Sequence, residues 1–426
     1  MNLFIFCICA VYLAALGFFL TMSFPRLWCW TYAFKKQERL QNPRFNKLAV
    51  IIPARNESTA VGTLFSCLDA QSYPKEHFDV HVIVADPEDP TLALTKKYGY
   101  VTYVAAEQTC KSDALDTCFS EILAKDAYAY DAYIILDADC ALDSRFLEEM
   151  NNALSSGADI ICSKKLVKNY FYSQGKKCSI SAACNGTIWT LLDNMGNKYK
   201  SAKGYPCFPV GTGLMLSADL IRSKNGWHYK QTLTEDVELM HDAVLDGRRF
   251  FYYEHAVIYM EEAQKLSVTN KRRRRWMTGV ADGERIFGKK VAKNCDFGQS
   301  YYSSALNHIY AYIGTSVVFF AVCAVLALTL GIAGVPQWTA FALLATAAVG
   351  VVYLSFFIMS AVVLACEKDG IPLPLCRKIA LLFINPFFYM LYIPIVTRAL
   401  FFRPKNHTWE AIQRVDFSDS NSQQGD

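Results

Sequence analysis

The stretch that decides the fold is AYIILDADC, residues 132–140, in which five apolar residues are followed by Asp137 and Asp139. A short apolar run that ends in polar residues is typical of a strand buried within a sheet. The same pattern occurs in LAVIIPARNES at 48–58 and in HVIVAD at 81–86. Helical patterns separate these runs, and strands that alternate with helices predict an α/β fold with a largely parallel sheet.

The polar residues that end these predicted strands are expected to lie close together. In open α/β sheets, ligands bind outside the carboxyl ends of the strands, which is where Asp86, Asp137 and Asp139 are expected. Carboxylate oxygens are the ligands that Mg²⁺ and Mn²⁺ prefer, so the Asp137 and Asp139 pair predicts a metal site. An acid-x-acid pattern also occurs in solvated turns, and its position at the sheet edge is what favours metal binding.

Two further motifs place polar groups beside predicted elements. Gly211–Gly213 reads Gly-Thr-Gly ahead of an apolar stretch, and on its own such a loop is most often a tight turn. Thr234 has the residue type of a helix N-cap, which puts Glu235 and Asp236 in the first turn of a helix. Acids in that position can also simply suit the helix dipole.

The composition favours a soluble domain joined to membrane helices, because 53% of the 426 residues are apolar and 19% are charged. Residues 3–24 form an uncharged apolar run of the length that crosses a bilayer. We predict a membrane anchor rather than a cleaved signal peptide, because no basic residues precede the run. Arg26 and Lys35 follow it, and the positive-inside rule therefore places the next domain in the cytoplasm.

Three apolar stretches lie towards the carboxyl end of the chain. Residues 306–335 and 338–366 predict a helical hairpin. Residues 379–402 contain Pro386 and Pro394, which predicts a kinked span or a re-entrant segment. The predicted organisation is a transmembrane helix at 1–25, a cytoplasmic domain with interfacial helices at 26–300, a membrane region at 301–402 and a partly disordered tail at 403–426. Such a chain is predicted to be a multi-pass protein of the plasma membrane.

The most unusual string is KRRRRW at 271–276, in which five consecutive cations precede Trp276. Nucleic-acid binding is one interpretation of such a run, but it fits poorly with a membrane-tethered chain whose net charge is only +4. The other interpretations are a patch that binds anionic lipid and a clamp in which one or two guanidinium groups bind a diphosphate. In the clamp, the indole offers a flat apolar face to a sugar ring.

Together these residues resemble the membrane-embedded family 2 glycosyltransferases, a group that includes cellulose, chitin, hyaluronan and poly-N-acetylglucosamine synthases. The resemblance covers nearly the whole chain, because its parts occur in the family's order. They are VIIPARNES at 50–58, Asp86, Lys111, Asp137 with Asp139, Gly211–Gly213, Thr234–Asp236, and Arg275 with Trp276 and Gly279. The resemblance implies a catalytic domain of the GT-A type, with a Rossmann-like mixed sheet, beside all-α transmembrane segments.

Carried over to this sequence, the resemblance implies a nucleotide-sugar site, a metal ligand, a catalytic pair and an acceptor site. The nucleotide-sugar residues would be Pro53, Arg55, Glu57, Asp86, Lys111, Asp137, Arg272 and Arg275. Asp139 would hold Mg²⁺ or Mn²⁺ on the diphosphate. Asp236 would be the general base, with Glu235 beside it, and Trp276 would bind the acceptor sugar together with Thr234.

One position departs from the family pattern. The glutamine at the head of the family's QxxRW motif is Arg272 here, whereas the arginine and tryptophan are kept as Arg275 and Trp276. The change leaves the catalytic residues in place, but it puts processive synthesis in question.

The function implied by the resemblance is inverting transfer of a sugar from a UDP-sugar to a polysaccharide that grows at the membrane, with β-linkages and coupled export. One alternative is transfer of one or a few sugars to a lipid-linked or other membrane acceptor. Another is a non-catalytic sensor or scaffold that binds sugar nucleotides. The implied partners are the donor, a saccharide or lipid-linked acceptor and the lipid bilayer, with no nucleic acid. The choice of sugar and any accessory subunits stay open.

Overall fold

The structure of the protein is a computed structural model that describes residues 29–106, 108–171, 178–304, 321, 325 and 337–402. The predicted transmembrane helix at 1–25, most of the predicted run 306–335 and the tail 403–426 lie outside the described residues. The predictions for those segments therefore stay predictions.

An eight-stranded mixed sheet forms the centre of the described fold. Its strands are β1 (Leu48–Pro53), β2 (Phe78–Val84), β3 (Val101–Val104), β4 (Ala132–Ile135), β5 (Ala141–Leu142), β6 (Ile160–Val167), β7 (Leu214–Ser217) and β8 (Phe250–Met260). The strand order is β3-β2-β1-β4-β7-β6-β8-β5. Strands β3, β2, β1 and β4 run parallel to one another, as does the pair of β6 and β8.

Two strands make the sheet mixed, since β5 runs antiparallel to β8, and β7 runs antiparallel to both β4 and β6. The loop Gly211–Gly213 fixes the direction of β7: the N–H of Gly213 donates to the carbonyl of Ile135, the last residue of β4, at 2.9 Å. A strand that starts at the carboxyl end of β4 must run back along it. The prediction of an α/β fold is therefore confirmed, but the sheet is parallel only in part.

The helices that alternate with the strands and follow them are α1 (Val61–Asp69), α2 (Thr91–Tyr98), α3 (Lys111–Asp126), α4 (Phe146–Leu154), α5 (Lys168–Phe171), α6 (Ile180–Leu192), α7 (Lys198–Ala202), α8 (Ala218–Ser223), α9 (Glu235–Leu245), α10 (Leu266–Gly283), α11 (Lys289–Asn294) and α12 (Phe297–Ser303). Strand β1 is buried on both faces: Val50 packs into the core below α1, and Ile51 packs into the core below α3. Burial on both faces explains why the parallel strands are continuous apolar runs.

Three helices follow towards the carboxyl end: α13 (Gln337–Cys366), α14 (Leu375–Met390) and α15 (Tyr392–Phe401). The predicted span at 338–366 thus falls within a helix that carries no charged residue. The predicted kinked segment consists of α14, which contains Pro386, and α15, which begins after Leu391. Helix α14 packs on α13 and α6, and α15 packs on α10.

One stretch among the described residues, Leu375–Phe401, is long and apolar enough to cross a membrane. Length and composition alone do not separate such a stretch from the core helix of a soluble protein. The described residues therefore do not support the several transmembrane segments of the prediction, and a multi-pass arrangement remains a proposal.

The end of α13 is fastened to the sheet by a buried carboxylate. Glu367 follows the helix directly and accepts hydrogen bonds from Lys164 Nζ at 2.7 Å and from Asn194 Nδ2 at 2.6 Å. Lys164 belongs to β6, so this ion pair ties the carboxyl-terminal helices to the central sheet.

Candidate active site

The Gly-Thr-Gly loop and the acid-x-acid turn form one structural unit. The hydroxyl of Thr212 accepts a hydrogen bond from the backbone N–H of Asp137 at 2.9 Å. Gly213 has a φ of 62°, and a Cβ at this position would lie 2.1 Å from the hydroxyl of Ser163. Only glycine can occupy that position without displacing β6. The loop thereby places Gly211 over the carboxyl end of β4.

Charged side chains from three distant segments meet around the backbone of Gly211. Lys111, the first residue of α3, donates to Asp137 Oδ1 at 2.6 Å and also to the carbonyl of Gly211. Its Nζ lies 3.6 Å from Glu235 Oε1, and Asp236 Oδ2 accepts from the N–H of Gly211 at 2.9 Å. Burial alone would lower the pKa of Lys111, but these three carboxylates raise it above its usual value.

Asp236 has the electrostatic surroundings of a general base. Burial raises the pKa of Asp236 and the neighbouring carboxylate of Glu235 raises it further, to about 7. Lys111 and the N–H groups of Val237 and Gly211 partly offset this rise. A pKa near the working pH is what proton abstraction requires, because the group is then both ionised and basic.

The second acid of the turn, Asp139, lies two residues beyond Asp137, and both aspartates are half-buried. Its carbonyl accepts a hydrogen bond from Lys168 Nζ at 3.1 Å. Among the described residues, no group of three or more His, Cys, Asp or Glu side chains is arranged to hold a metal ion. The two aspartates alone would therefore leave most positions around a divalent ion to other ligands.

Helix α10 approaches the first turn of α9 through a pair of glycines. A Cβ on Gly279 would lie 2.5 Å from Thr234 Oγ1, and one on Gly283 would lie 2.9 Å from Val237 Cγ1. Thr234 is the N-cap residue of α9, as predicted, but its side chain makes no capping hydrogen bond. The close approach places the helix that carries Trp276 next to Glu235.

We expect Gly279→Ala to lower the melting temperature, because the added methyl group would overlap Thr234 and the two helices would have to separate. Overpacking of this kind typically costs about 1–3 kcal/mol. Thermal unfolding of the purified chain measures the effect. Gly62→Ala is the matched control, because Gly62 is also helical and a Cβ there has nothing within 4 Å. Equal melting temperatures for the two variants would contradict the proposed close contact.

Trp276 belongs to a second cluster, which also contains a buried acid. Its ring packs edge to face against Trp189, with centroids 5.7 Å apart and planes at 66°. The guanidinium of Arg272 lies 5.1 Å from the Trp276 ring. Glu262 accepts a hydrogen bond from Trp189 Nε1 at 2.6 Å, and its other oxygen lies 3.5 Å from Arg272 Nη1.

The consecutive arginines of α10 face different environments. Arg273 is fully buried between the rings of Phe388 and Tyr392, at 3.7 and 4.2 Å. Arg275 is exposed and lies one helical turn before Gly279, on the side of α10 that faces Thr234. Arg272 contacts Glu262 rather than the Lys111 group. The basic run is therefore not a single surface patch.

The predicted nucleotide residues lie at and beyond the ends of the first two strands. Pro53 is the last residue of β1, and Arg55 Nη1 donates to the carbonyl of Gln108 at 3.1 Å. The backbone N–H of Glu57 donates to the Thr91 hydroxyl at 3.1 Å. Asp86 is exposed, and its carboxylate accepts from the N–H of Glu88.

Sequence reasoning missed three residues that hold these groups in place. Asp89 is buried, and its two oxygens accept from the N–H groups of Asn56 and Thr91, each at 2.9 Å. The only sequence signal for Asp89 was its position as the second aspartate of VADPEDPT, residues 84–91. Glu262 had a weak signal, as the second of two acids that follow a long, largely apolar strand, and Trp189 had none.

The chain matches the family model described as glycosyl transferase family group 2 over residues 133–360, which is more than half of its length. The chain therefore belongs to this family. A comparison with curated proteins finds no match.

Solved structures resemble the chain in fold. The mannosyltransferase PcManGT from Pyrobaculum calidifontis, in complex with GDP-Man and Mn²⁺, is 17% identical with a TM-score of 0.56, and the match covers 85% of this chain and 98% of that one. S. aureus TarS is 14% identical with a TM-score of 0.43, over 80% of this chain and 55% of that chain. The likeness to PcManGT shows the GT-A type fold alone.

Proposed function

We propose that the protein transfers a sugar from a nucleoside diphosphate sugar to a saccharide that grows at a membrane, with inversion at the anomeric carbon. The observation that carries this proposal is the meeting of Lys111, Asp137, Glu235 and Asp236 around Gly211. These side chains come from separate segments of the chain, yet each lies within 4 Å of a partner in the group. The group combines a cation, an acid pair and a carboxylate whose pKa suits a base.

The leaving diphosphate gains negative charge as the glycosidic bond breaks, and the site offers groups that offset this charge. Lys111 supplies a half-buried ammonium, and exposed Arg275 lies one helical turn from the contact with Thr234. Preorganised cations at such a position stabilise the transition state by several kcal/mol, about 3–4 for one well-placed donor.

A divalent ion fits the donor set of Asp137 and Asp139, provided that the diphosphate supplies further oxygens. The Asp137 side chain is 39% exposed, so it remains accessible to a ligand despite its bond to Lys111. Mg²⁺ is commonly held by one or two carboxylates together with substrate phosphates. The ion would add positive charge at the leaving group.

Asp236 accepts the proton of the acceptor hydroxyl as that oxygen attacks the anomeric carbon from the face opposite the diphosphate. A single displacement of this kind inverts the configuration and gives a β-linkage from an α-linked donor. Glu235 keeps the pKa of Asp236 high enough for proton transfer. Trp276, half-buried, presents an aromatic ring to the acceptor sugar, and it lies on the helix whose Gly279 contacts Thr234.

Membrane attachment is supported by an apolar stripe on α14. Ile379, Phe383 and Phe387 follow one another at four-residue spacing and are 48%, 53% and 62% exposed. Residues four apart lie on one face of a helix, and an exposed apolar stripe of this kind marks an interaction surface. We propose that the stripe faces lipid, with the catalytic domain on the cytoplasmic side of the plasma membrane and the product exported as it grows.

A lipid-linked acceptor is the second candidate. Helix α15 continues from the apolar α14 and packs on α10, the helix that carries Trp276. This packing supports access to the acceptor site for a headgroup whose lipid chain stays in the bilayer.

Membranes that contain the full-length protein are expected to release nucleoside diphosphate from UDP-glucose, UDP-N-acetylglucosamine or GDP-mannose, and to incorporate the sugar into product. High-molecular-weight polymer supports the first candidate, and organic-extractable product supports the second. Nucleotide binding without transfer from any donor would instead favour a non-catalytic sensor.

Removal of divalent ions is expected to abolish transfer, because the two aspartates need an ion between them and the diphosphate in order to bind it. EDTA should therefore stop the reaction, and excess Mg²⁺ or Mn²⁺ should restore it.

A further inference from the structure

A buried acid beside the Trp276 ring has no place in the chemistry described so far. Glu262 is the second residue after the end of β8, and its side chain is 0% exposed. Its backbone is fixed by Asn169, whose side chain accepts from the Glu262 N–H at 2.8 Å and donates to the Glu262 carbonyl at 3.2 Å. Burying a carboxylate is costly unless hydrogen bonds and an opposite charge compensate, so its partners are informative.

The two oxygens of Glu262 serve two different helices. One accepts from Trp189 Nε1 on α6, and the other faces the guanidinium of Arg272 on α10. Burial raises the pKa of Glu262, while Arg272 and the indole N–H act in the opposite direction. A single carboxylate thus holds a tryptophan and an arginine at fixed positions.

Both of these partners contact the Trp276 ring, Trp189 with the edge-to-face packing and Arg272 with its guanidinium. Two contacts with defined geometry restrict the rotation of an aromatic side chain. Arg272 itself is only 15% exposed, and Glu262 balances its charge. The charge of Arg272 beside the ring is therefore compensated by an acid.

We propose that Glu262 is a positioning residue for the acceptor site, which it orders by fixing Trp189 and Arg272 against the Trp276 ring. This proposal rests on the proposed function, because that function assigns binding of the acceptor sugar to Trp276. Glu262 touches neither sugar nor nucleotide. It acts on how the acceptor is held, not on the release of the diphosphate.

Glu262→Gln keeps the size of the side chain and removes its charge, which leaves the cation of Arg272 buried without a counter-charge. The expected result is a rise of about tenfold in the KM for the acceptor, because small displacements of positioning groups are costly. The KM for the donor should change less than about twofold. Trp189→Phe removes the N–H and should shift the acceptor KM in the same direction.

A double variant that restores the acceptor KM would distinguish a positioning role of Glu262 from a general effect on stability. Arg272→Gln alone leaves Glu262 buried without its cation and should also raise the acceptor KM. The double variant Glu262→Gln with Arg272→Gln pairs two neutral amides, and it should recover an acceptor KM within about threefold of wild type, because residues in direct contact are not additive. Glu367→Gln is the control, since Glu367 is also a buried carboxylate with a cationic partner, Lys164, but lies apart from this cluster.

The assay uses the full-length protein in detergent micelles with free N-acetylglucosamine and undecaprenyl phosphate as acceptor probes, and measures both KM values and kcat. A selective, rescued rise in the acceptor KM supports the proposal. Three outcomes would overturn it. They are an unchanged acceptor KM in Glu262→Gln, an equal rise in acceptor KM in Glu367→Gln, and an acceptor KM that stays high in the double variant. If the wild type transfers no sugar to either probe or to endogenous acceptor, the proposed function fails, and this inference fails with it.

Discussion

Asp236→Asn is expected to lower the kcat of sugar transfer by about 10²–10⁴-fold, which is the range that general base catalysis contributes. The amide keeps the shape of the side chain and can still accept from the N–H of Gly211, but it cannot take up a proton. Donor binding should change little, because Asp236 faces the acceptor in the proposed mechanism. Measuring kcat and nucleotide affinity on the same preparation tests both statements.

The pH dependence of the wild type offers an independent check on the same residue. With a pKa of about 7, Asp236 is protonated at lower pH and ionised at higher pH, so kcat/KM should rise as the pH passes through about 7. Asp242→Asn is the control, since Asp242 lies on the same helix and pairs with Lys224 instead. If kcat/KM of the wild type does not change with pH around 7, or if Asp236→Asn keeps full turnover, then Asp236 is not the general base.

The fold could be predicted from the sequence as far as local pattern determines structure. The strands of the parallel half, such as β1 and β4, are buried on both faces and are therefore continuous apolar runs. The direction of β7 could not be predicted, because it depends on a hydrogen bond between Gly213 and Ile135, which lie far apart in the sequence. A four-residue strand has no pattern that reveals its partner.

The candidate site was predictable where the residues match the motifs of the family that the sequence resembles. Lys111, Asp137, Glu235 and Asp236 were all named from sequence, and the structure brings them together. Arg272 was predicted to bind the nucleotide, yet its described contacts are with the Trp276 cluster. Position on a helix decides which of several consecutive arginines turns inward, and that depends on the packing of neighbouring helices rather than on composition.

Buried polar partners such as Glu262 and Asp89 are the residues that sequence reasoning is least able to find. Each acts through tertiary hydrogen bonds, Glu262 to Trp189 and Asp89 to Asn56. A hydrogen bond between distant residues produces no periodic pattern in the local sequence. In a single sequence, a buried acid therefore resembles any acid in a loop.

Lys111→Met is expected to lower kcat/KM for the donor by about 10²–10³-fold, which is the cost of removing one preorganised group that stabilises charge. The ammonium of Lys111 compensates three carboxylates, those of Asp137, Glu235 and Asp236. Without it, the site that receives a diphosphate would be strongly negative. The loss should therefore be larger in the affinity for the donor than in the affinity for the acceptor.

The same variant should also move the pH profile, and the direction follows from the charges. Lys111 lowers the pKa of Asp236, so its removal raises that pKa, and the rise in kcat/KM should occur at higher pH than in the wild type. Lys224→Met is the matched control, because Lys224 also bridges two carboxylates, Asp242 and Asp246, but lies outside the site. A profile that stays in place, or moves to lower pH, would show that Lys111 does not act on the base. The two effects together distinguish an electrostatic role for Lys111 from a purely structural one.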